Sequence, residues 1–185
     1  MWPRLVAALL VAAGPAAATG IEVTVAGEGG NGVIAIDLLE DVAPGHAERI
    51  TSLAASGAYD NVAFHRVIDG FMAQTGDVQH GVLGDGYDAR RAGTGASDMP
   101  DLAQEFSNVP FDAGIVGMAR SSEVDSANSQ FFIMFAPGYF LNNQYTVVGR
   151  VTSGQDVVDA IKKGHPRSGA ITGAPDRIVS VTVTE

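Results

Sequence analysis

A chain of 185 residues that is 46% hydrophobic and 17% charged has the makeup of one globular domain, large enough to bury a core without disulfide or metal staples. It contains no cysteine, which excludes a disulfide framework, a thiol nucleophile and thiolate metal or iron–sulfur sites. The formal net charge of −10 argues against nucleic acid as a partner, and 23 glycines with few aromatics suit short strands and turns better than a helical bundle.

Met1 to Arg4 carries one positive side chain and Leu5 to Ala13 is an unbroken apolar run. Gly14-Pro15 interrupts that run, and Ala16-Ala17-Ala18 offers small residues for cleavage. This is the anatomy of a secretory signal peptide, so residues 1–18 are expected to be removed and residues 19–185 to form the folded domain. The apolar run is about half the ~20 residues that cross a bilayer, which makes an uncleaved anchor the weaker alternative. No stable membrane span is expected after cleavage. A cysteine-free domain also suits an oxidising compartment.

Ile21-Glu22-Val23-Thr24-Val25 alternates apolar and polar residues as a half-buried strand does, and Val33 to Leu39 reads as a second strand. Asn31-Gly32 between them favours the positive φ angles of a tight hairpin turn. From Ala43 to Ser56 the period changes: Ala47, Ile50, Leu53 and Ala54 share a helical face, Pro44 suits the first turn and Gly57 the C-terminal stop. Tyr59 to Asp77 returns to strand-like text, followed from Val78 to Gly114 by a long irregular connection rich in glycine and proline. Strand signals resume at Gly114 to Ala119, Gln130 to Phe135 and Tyr145 to Val151. A second helix is predicted with Ser153 as its cap, Lys162-Lys163 at its negative end and Gly164 as its stop. Ile178 to Glu185 closes the chain as an alternating strand. Many strands, two short helices and no βαβ rhythm predict a mostly antiparallel barrel or sandwich.

Several familiar motifs fail on context. Gly27, Gly29 and Gly32 have dinucleotide-loop spacing, but a strand follows where the pyrophosphate needs a helix N-terminus. Gly84-Asp85-Gly86 lacks the lysine of a phosphate loop, and there is no G-x-S-x-G elbow. His46, His65, His80 and His165 are scattered without metal-ligand spacing, so no metal site is expected.

What remains is FHRVIDGFMAQTGD, from Phe64 to Asp77. Strand alternation puts Phe64, Arg66 and Ile68 on one face, with His65 and Val67 opposite. An arginine among core-forming strands must either snorkel outward from an edge or serve as a permanent cationic fork on an apolar groove. Both readings stand on pattern alone. The apolar residues around it (Phe71, Met72, Phe131, Phe132, Phe140, Leu141) suit a core as well as a pocket.

FHRVIDGFMAQTGD, GMARSSEVDSANSQFFI and YFLNNQYTVVGRV, taken in order, resemble the cyclophilin-type peptidyl-prolyl cis–trans isomerases over about Ile21 to Glu185. The likeness is nearest to the short cyclophilins that bacteria export to the periplasm. It implies a closed eight-stranded antiparallel β-barrel capped by two α-helices, with the active groove on its outer face. It also implies an isomerase that needs no cofactor and takes proline-containing peptides and unfolded or exported proteins as substrates; nothing in the sequence suggests more than a monomer.

By motif, Arg66 matches the family's catalytic arginine, Gln74 a pocket residue that follows it and is grouped with the catalytic set, and Gln130 the glutamine that helps position the substrate backbone and Arg66. Phe71, Met72, Phe132 and Leu141 match the proline pocket. Ala119 and Arg120 match the backbone groups that hold an extended substrate, and Ser121 the mouth of a neighbouring side pocket. Phe140 stands where the best-known eukaryotic members have tryptophan, and Tyr145 where they have histidine. Both keep an aromatic wall, but the missing indole N–H implies weak or no cyclosporin binding. Arg120 replaces the usual asparagine, adding a positive charge at the rim that favours acidic flanking residues. A scaffold that holds proline segments without catalysis, and a barrel that carries a small apolar ligand inside, are the other two classes these residues allow.

Overall fold

A computed structural model describes residues 19–185, and the predicted leader lies outside the described residues. Eight strands are formed: β1 (Gly20–Ala26), β2 (Gly32–Leu38), β3 (Arg66–Ile68), β4 (Met72–Thr75), β5 (Ile115–Met118), β6 (Phe131–Met134), β7 (Val147–Ser153) and β8 (Arg177–Thr184). Two α-helices accompany them, α1 (Pro44–Ala55) and α2 (Gln155–Ala160), with a 3₁₀ turn at Tyr139–Leu141. Every ladder is antiparallel, and the strands lie in the order β3-β4-β6-β5-β7-β2-β1-β8.

Because successive strand residues face opposite sides, the sheet sorts its apolar residues into two separate clusters. Ala73, Val116, Phe131, Ile133 and Val148 pack on one side with Ile50 and Leu53 of α1 and Val158 of α2. Met72, Ile115, Phe132, Met134 and Val147 pack on the other with Phe111 and Leu141. Strand β6 is buried on both faces, which is why its sequence is an unbroken apolar run. Where a ligand-carrying barrel would be hollow, Tyr59 meets Phe131 edge-on at 5.6 Å and donates its hydroxyl to the Ser129 carbonyl at 2.9 Å.

The expected closed barrel is not formed. No ladder joins β3 to β8, the two ends of the strand order. The chain before β3 touches β8 through one isolated bridge, Ala63 to Arg177, flanked by bonds from Phe64 N–H to Asp176 O and from Ile178 N–H to Val62 O. The edge of β3 that does not pair with β4 is taken by residues 164–170 instead: Arg66 bridges to Ala170, Val67 N–H donates to the Gly169 carbonyl and Gly164 N–H to the Val67 carbonyl. The architecture is therefore a curled eight-stranded antiparallel sheet with an open seam and two helices.

Helix α1 matches its expected start at Pro44, and Gly57 follows it with φ of 71°. Its N-cap residue, Ala43, supplies no side-chain bond. The Glu105 carboxylate does so instead from the long connection, accepting the Gly45 and His46 N–H groups at 3.1 Å each and the buried His46 Nδ1 at 2.6 Å. A carboxylate there complements both the orphan amides and the positive helix end.

Three local expectations fail for tertiary reasons. Ser153 ends β7 rather than capping α2, and the N-cap is Gly154, with φ of 80° and no side-chain bond. Helix α2 stops before Gly164, because Ile161 turns extended and buries its side chain. Lys163 nevertheless donates to the Asp159 and Ile161 carbonyls, as a lysine at a helix end should. Asn31-Gly32 does not form a two-residue turn: residues 27–31 make a longer loop in which the Asn31 amide bridges to Gly27. The amides of Gly29 and Gly30 donate to the buried carboxylate of Asp176, so this glycine loop binds the protein's own anion.

Glu105→Ala removes the side-chain carboxylate that caps α1 and should cost about 1–2 kcal/mol in urea unfolding at neutral pH. Burial pushes the Glu105 carboxyl up, but the bonds from His46 and the two amides outweigh it and hold the group below its ordinary 4.5. A depressed carboxyl stabilises fully above its unfolded value and loses that contribution as pH falls through the folded value. The gap between wild type and Glu105→Ala should therefore close progressively below pH 4.5.

Candidate functional site

The registers of four ladders place one residue from each of five strands in a single row: Arg66 opposite Gln74, Gln74 opposite Phe132, Phe132 opposite Gly117, and Gly117 opposite Val147. Cross-strand partners face the same side of a sheet, so Arg66, Gln74 and Phe132 share a surface. Gly117 leaves room on that surface for two aromatic rings. A Cβ there would lie 2.4 Å from the Phe132 ring and 2.7 Å from the Phe111 ring, so only glycine lets both rings stack, 5.8 Å apart.

Arg66 is half-buried at one end of this row, on the outermost strand of the order. Its Nε donates to the Ser168 carbonyl at 3.3 Å and its Nη1 to Gln74 Oε1 at 3.2 Å, with Met72 Sδ at 3.8 Å. Among the described residues Nη2 has no protein acceptor. Burial lowers the Arg66 pKa from its ordinary 12.5, partly offset by Tyr145, and a guanidinium so placed keeps its proton at neutral pH. Phe64 does not share this face. It lies with Val67 in the cluster under the helices, because regular strand begins only at Arg66.

Both glutamine amides are oriented by what lies behind them. Gln130 Nε2 donates to the carbonyls of Gly93 at 3.1 Å and Gly95 at 2.8 Å, which can only accept. Its Oε1 must then face Gln74 Nε2, at 3.0 Å, and Gln74 Oε1 in turn faces Arg66. The polarity of the relay runs one way, from loop carbonyls to guanidinium.

The loop end of that relay was not legible from strand patterns. Gly93 and Gly95 are held by Asp77, whose buried carboxylate accepts their N–H groups at 2.7 and 3.0 Å, together with those of Gln79 and His80 at 3.1 and 2.7 Å. Burial pushes the Asp77 carboxyl up, but these four bonds outweigh it and hold the group below its ordinary 3.8. His65 packs beneath the loop: a Cβ at Gly93, where φ is 93°, would fall 2.8 Å from the imidazole. An aspartate followed by a glycine-rich stretch was the available signal, but nothing in the spacing shows that the stretch folds back onto Gln130.

The apolar part of the site gathers most of the sequence-nominated residues. Met72, Phe132 and Leu141 are buried together, with Phe71, Ala119 and Tyr145 packed around them. Phe140 stands apart, 67% exposed, its ring 5.4 Å from that of Phe71. Tyr145 meets Phe132 edge-on at 5.8 Å. Ala119 N–H is taken by the Gln130 carbonyl, whereas its own carbonyl and the Arg120 N–H make no backbone bond among the described residues. Beyond them lies a pocket of about 350 Å³ lined by Gly95, Asp101, Ser121, Asn128 and Gln130, among others, with Ser121 at its wall. The Arg120 guanidinium does not project from the rim, for it is bonded to the backbone carbonyls of Gln144, Ser121 and Ser122.

The family model for the cyclophilin type peptidyl-prolyl cis-trans isomerases matches residues 21–183. A Brucella suis protein named "Probable peptidyl-prolyl cis-trans isomerase" is 56% identical over 153 residues, which cover 83% of this chain and 78% of that one. A Streptomyces antibioticus peptidyl-prolyl cis-trans isomerase is 36% identical, over 83% of this chain and 90% of its own. Among solved structures, a cyclophilin from Hirschia baltica superposes with a TM-score of 0.70 at 26% identity, covering 88% of this chain and 73% of that one. A Cryptosporidium parvum cyclophilin crystallised in the presence of the dipeptide Ala-Pro has a TM-score of 0.73 over 90% of this chain and 99% of its own, a likeness of fold at 22% identity.

Asp77→Ala leaves four amides without their acceptor and should destabilise the protein by about 2–3 kcal/mol. Hydrogen exchange at Gly93 and Gly95 should accelerate beyond that global loss, because their anchor is local.

Proposed function

The chain belongs to the cyclophilin-type peptidyl-prolyl cis–trans isomerase family, and from that premise we propose that it turns X–Pro bonds by aiming Arg66 at the prolyl nitrogen of the twisted imide. The observation that carries this reading is a guanidinium anchored by Ser168, Met72 and Gln74, with its Nη2 unbonded among the described residues, beside the apolar cluster of Met72, Phe132 and Leu141.

Rotation about a peptide bond must break amide resonance, a barrier of roughly 18–20 kcal/mol. Uncatalysed exchange at proline therefore takes tens to hundreds of seconds. No covalent bond is made or broken, so the step calls for no nucleophile, metal or nucleotide. In the twisted form the prolyl nitrogen turns pyramidal and its lone pair becomes localised. A hydrogen-bond donor aimed there finds an acceptor that neither planar form offers, which is differential binding of the transition state.

In this reading Met72, Phe132 and Leu141 hold the proline ring, with Phe71, Phe140 and Tyr145 as its aromatic surround. The Ala119 carbonyl and the Arg120 N–H hold the neighbouring chain extended, and Gln130 and Gln74 keep the guanidinium aimed. Ser121 admits the next side chain into the neighbouring pocket. Arginine suits the task better than lysine, since its planar fork can spend one edge on anchors and keep charge beside an apolar wall.

The signal-like composition of residues 1–18 supports export, so the proposed clients are proline-containing segments of folding or exported proteins outside the cytoplasm, in the periplasm of a bacterial cell. Among the described residues no helix is long and apolar enough to cross a membrane. Phe140 carries no N–H to donate, which supports weak or absent cyclosporin binding.

Arg66→Ala should lower kcat/KM for an Ala-Pro peptide by roughly 100-fold, about 2.7 kcal/mol of transition-state stabilisation, while peptide affinity changes little. Phe132→Ala should lose both. Exchange NMR at substoichiometric protein measures the two quantities together. Equal losses of turnover and affinity in Arg66→Ala would sink the arginine assignment, and a wild-type protein that binds without speeding exchange would be a proline-binding scaffold.

A further inference from the structure

We infer that Arg120 is a positioning residue for the proline pocket, acting through the Tyr145 ring and the Gln144 carbonyl, and not a reader of charge on the substrate. The inference rests on the isomerase reading above and extends it to a residue whose side chain has no role there.

The guanidinium is used on every side that the rim offers. Its Nε and Nη2 both reach the Gln144 carbonyl, at 3.0 and 2.9 Å, and its Nη1 spans the Ser121 and Ser122 carbonyls at 2.9 and 3.3 Å. The carbon of the fork sits 4.6 Å from the centroid of the Tyr145 ring, a cation–π contact. Tyr145 meets Phe132 edge-on, and Phe132 stacks on Phe111. Arg120, Tyr145, Phe132 and Phe111 thus form one chain of contacting planar groups that begins at the surface and ends in the core.

Two segments meet at this residue, one lining the neighbouring pocket and one carrying Leu141 and Tyr145 of the apolar cluster. One is the segment after β5, where Ser126 Oγ accepts the Ser121 N–H at 2.9 Å and itself donates to the Glu123 carbonyl at 2.6 Å, so the loop is tied to itself. The other is the turn from Leu141 to Tyr145, closed by bonds from Gln144 N–H and Tyr145 N–H to the Leu141 carbonyl. Arg120 bonds carbonyls in both. A lysine, with one ammonium and no planar face, could not span three carbonyls and cover a ring as well. A substrate carboxylate would have to compete with all of these acceptors, so a free positive charge at the rim is not what this geometry offers.

The test compares wild type, Arg120→Ala, Arg120→Asn, Arg120→Lys, Tyr145→Ala and the Arg120→Ala/Tyr145→Ala pair on Ala-Pro peptides flanked by Glu, Gln or Lys. The expected result for Arg120→Ala is a KM raised about five- to tenfold with kcat within about twofold, equally for all three peptides. Neither lysine nor asparagine should rescue it, and in the Tyr145→Ala background the same change should add less than about twofold. Circular dichroism and thermal melting establish that each variant is folded, and Arg120→Asn is the control should Arg120→Ala fail to fold. A loss confined to the Glu-flanked peptide and restored by Arg120→Lys would overturn the inference, as would full additivity with Tyr145→Ala or an unchanged KM. A wild type that does not catalyse exchange would overturn the isomerase reading itself, whereas an active wild type with an indifferent Arg120→Ala overturns this inference alone.

Discussion

Antiparallel register is the constraint on which the site depends. Four ladders align Arg66, Gln74, Phe132, Gly117 and Val147, and that row crosses the sheet from its short outer strand to β7. A slip of one residue in any ladder would turn its side chains to the helix-covered face, since strand residues alternate with a period of two. The cation, the amide that holds it and the aromatic floor are neighbours because backbone hydrogen bonds make them so. Nothing about their mutual attraction would suffice to hold that arrangement in water.

The same sheet solves two packing problems at once. Its helix-covered face is a conventional core, sealed by α1 and α2 and filled by Tyr59, Phe64 and Phe131. Its other face is apolar but has no α-helix over it among the described residues, so Phe132, Met72 and Leu141 are buried by neighbouring loops, rings and the 3₁₀ turn. The open seam between β3 and β8 leaves Arg66 beside the 168–170 segment instead of inside a continuous ladder, and the Ser168 carbonyl becomes one of its anchors.

The long irregular connection is ordered by buried polar groups in place of secondary structure. Asp77 gathers four amides, Glu105 caps α1, Arg49 reaches the carbonyls of Asn128 and Pro100, and Asn128 binds Ser97, Met99 and Asp101. Each of these groups would be costly to bury without its partners. Together they hold two loop carbonyls against Gln130, and through it the site. This explains how a segment with no strand or helix can present fixed hydrogen-bond acceptors.

By itself the amino-acid sequence determined the elements whose signals are local: the alternating strands, α1 with its proline and glycine ends, and the absence of thiol chemistry. Its three long motifs also carried the family likeness, and most of the residues they nominated cluster, because residues close in sequence on short strands stay close in space. Tertiary structure alone decided the rest. The sheet's open seam, the early stop of α2 at Ile161, the placement of Phe64 away from Arg66, and the capping of α1 by Glu105 each depend on a partner far along the chain. So do Asp77's hold on the loop behind Gln130 and the capture of Arg120 by Gln144 and Tyr145. Periodicity reports which face a residue occupies, but the acceptor that a buried donor finds is set by packing, and packing is not written in any local window.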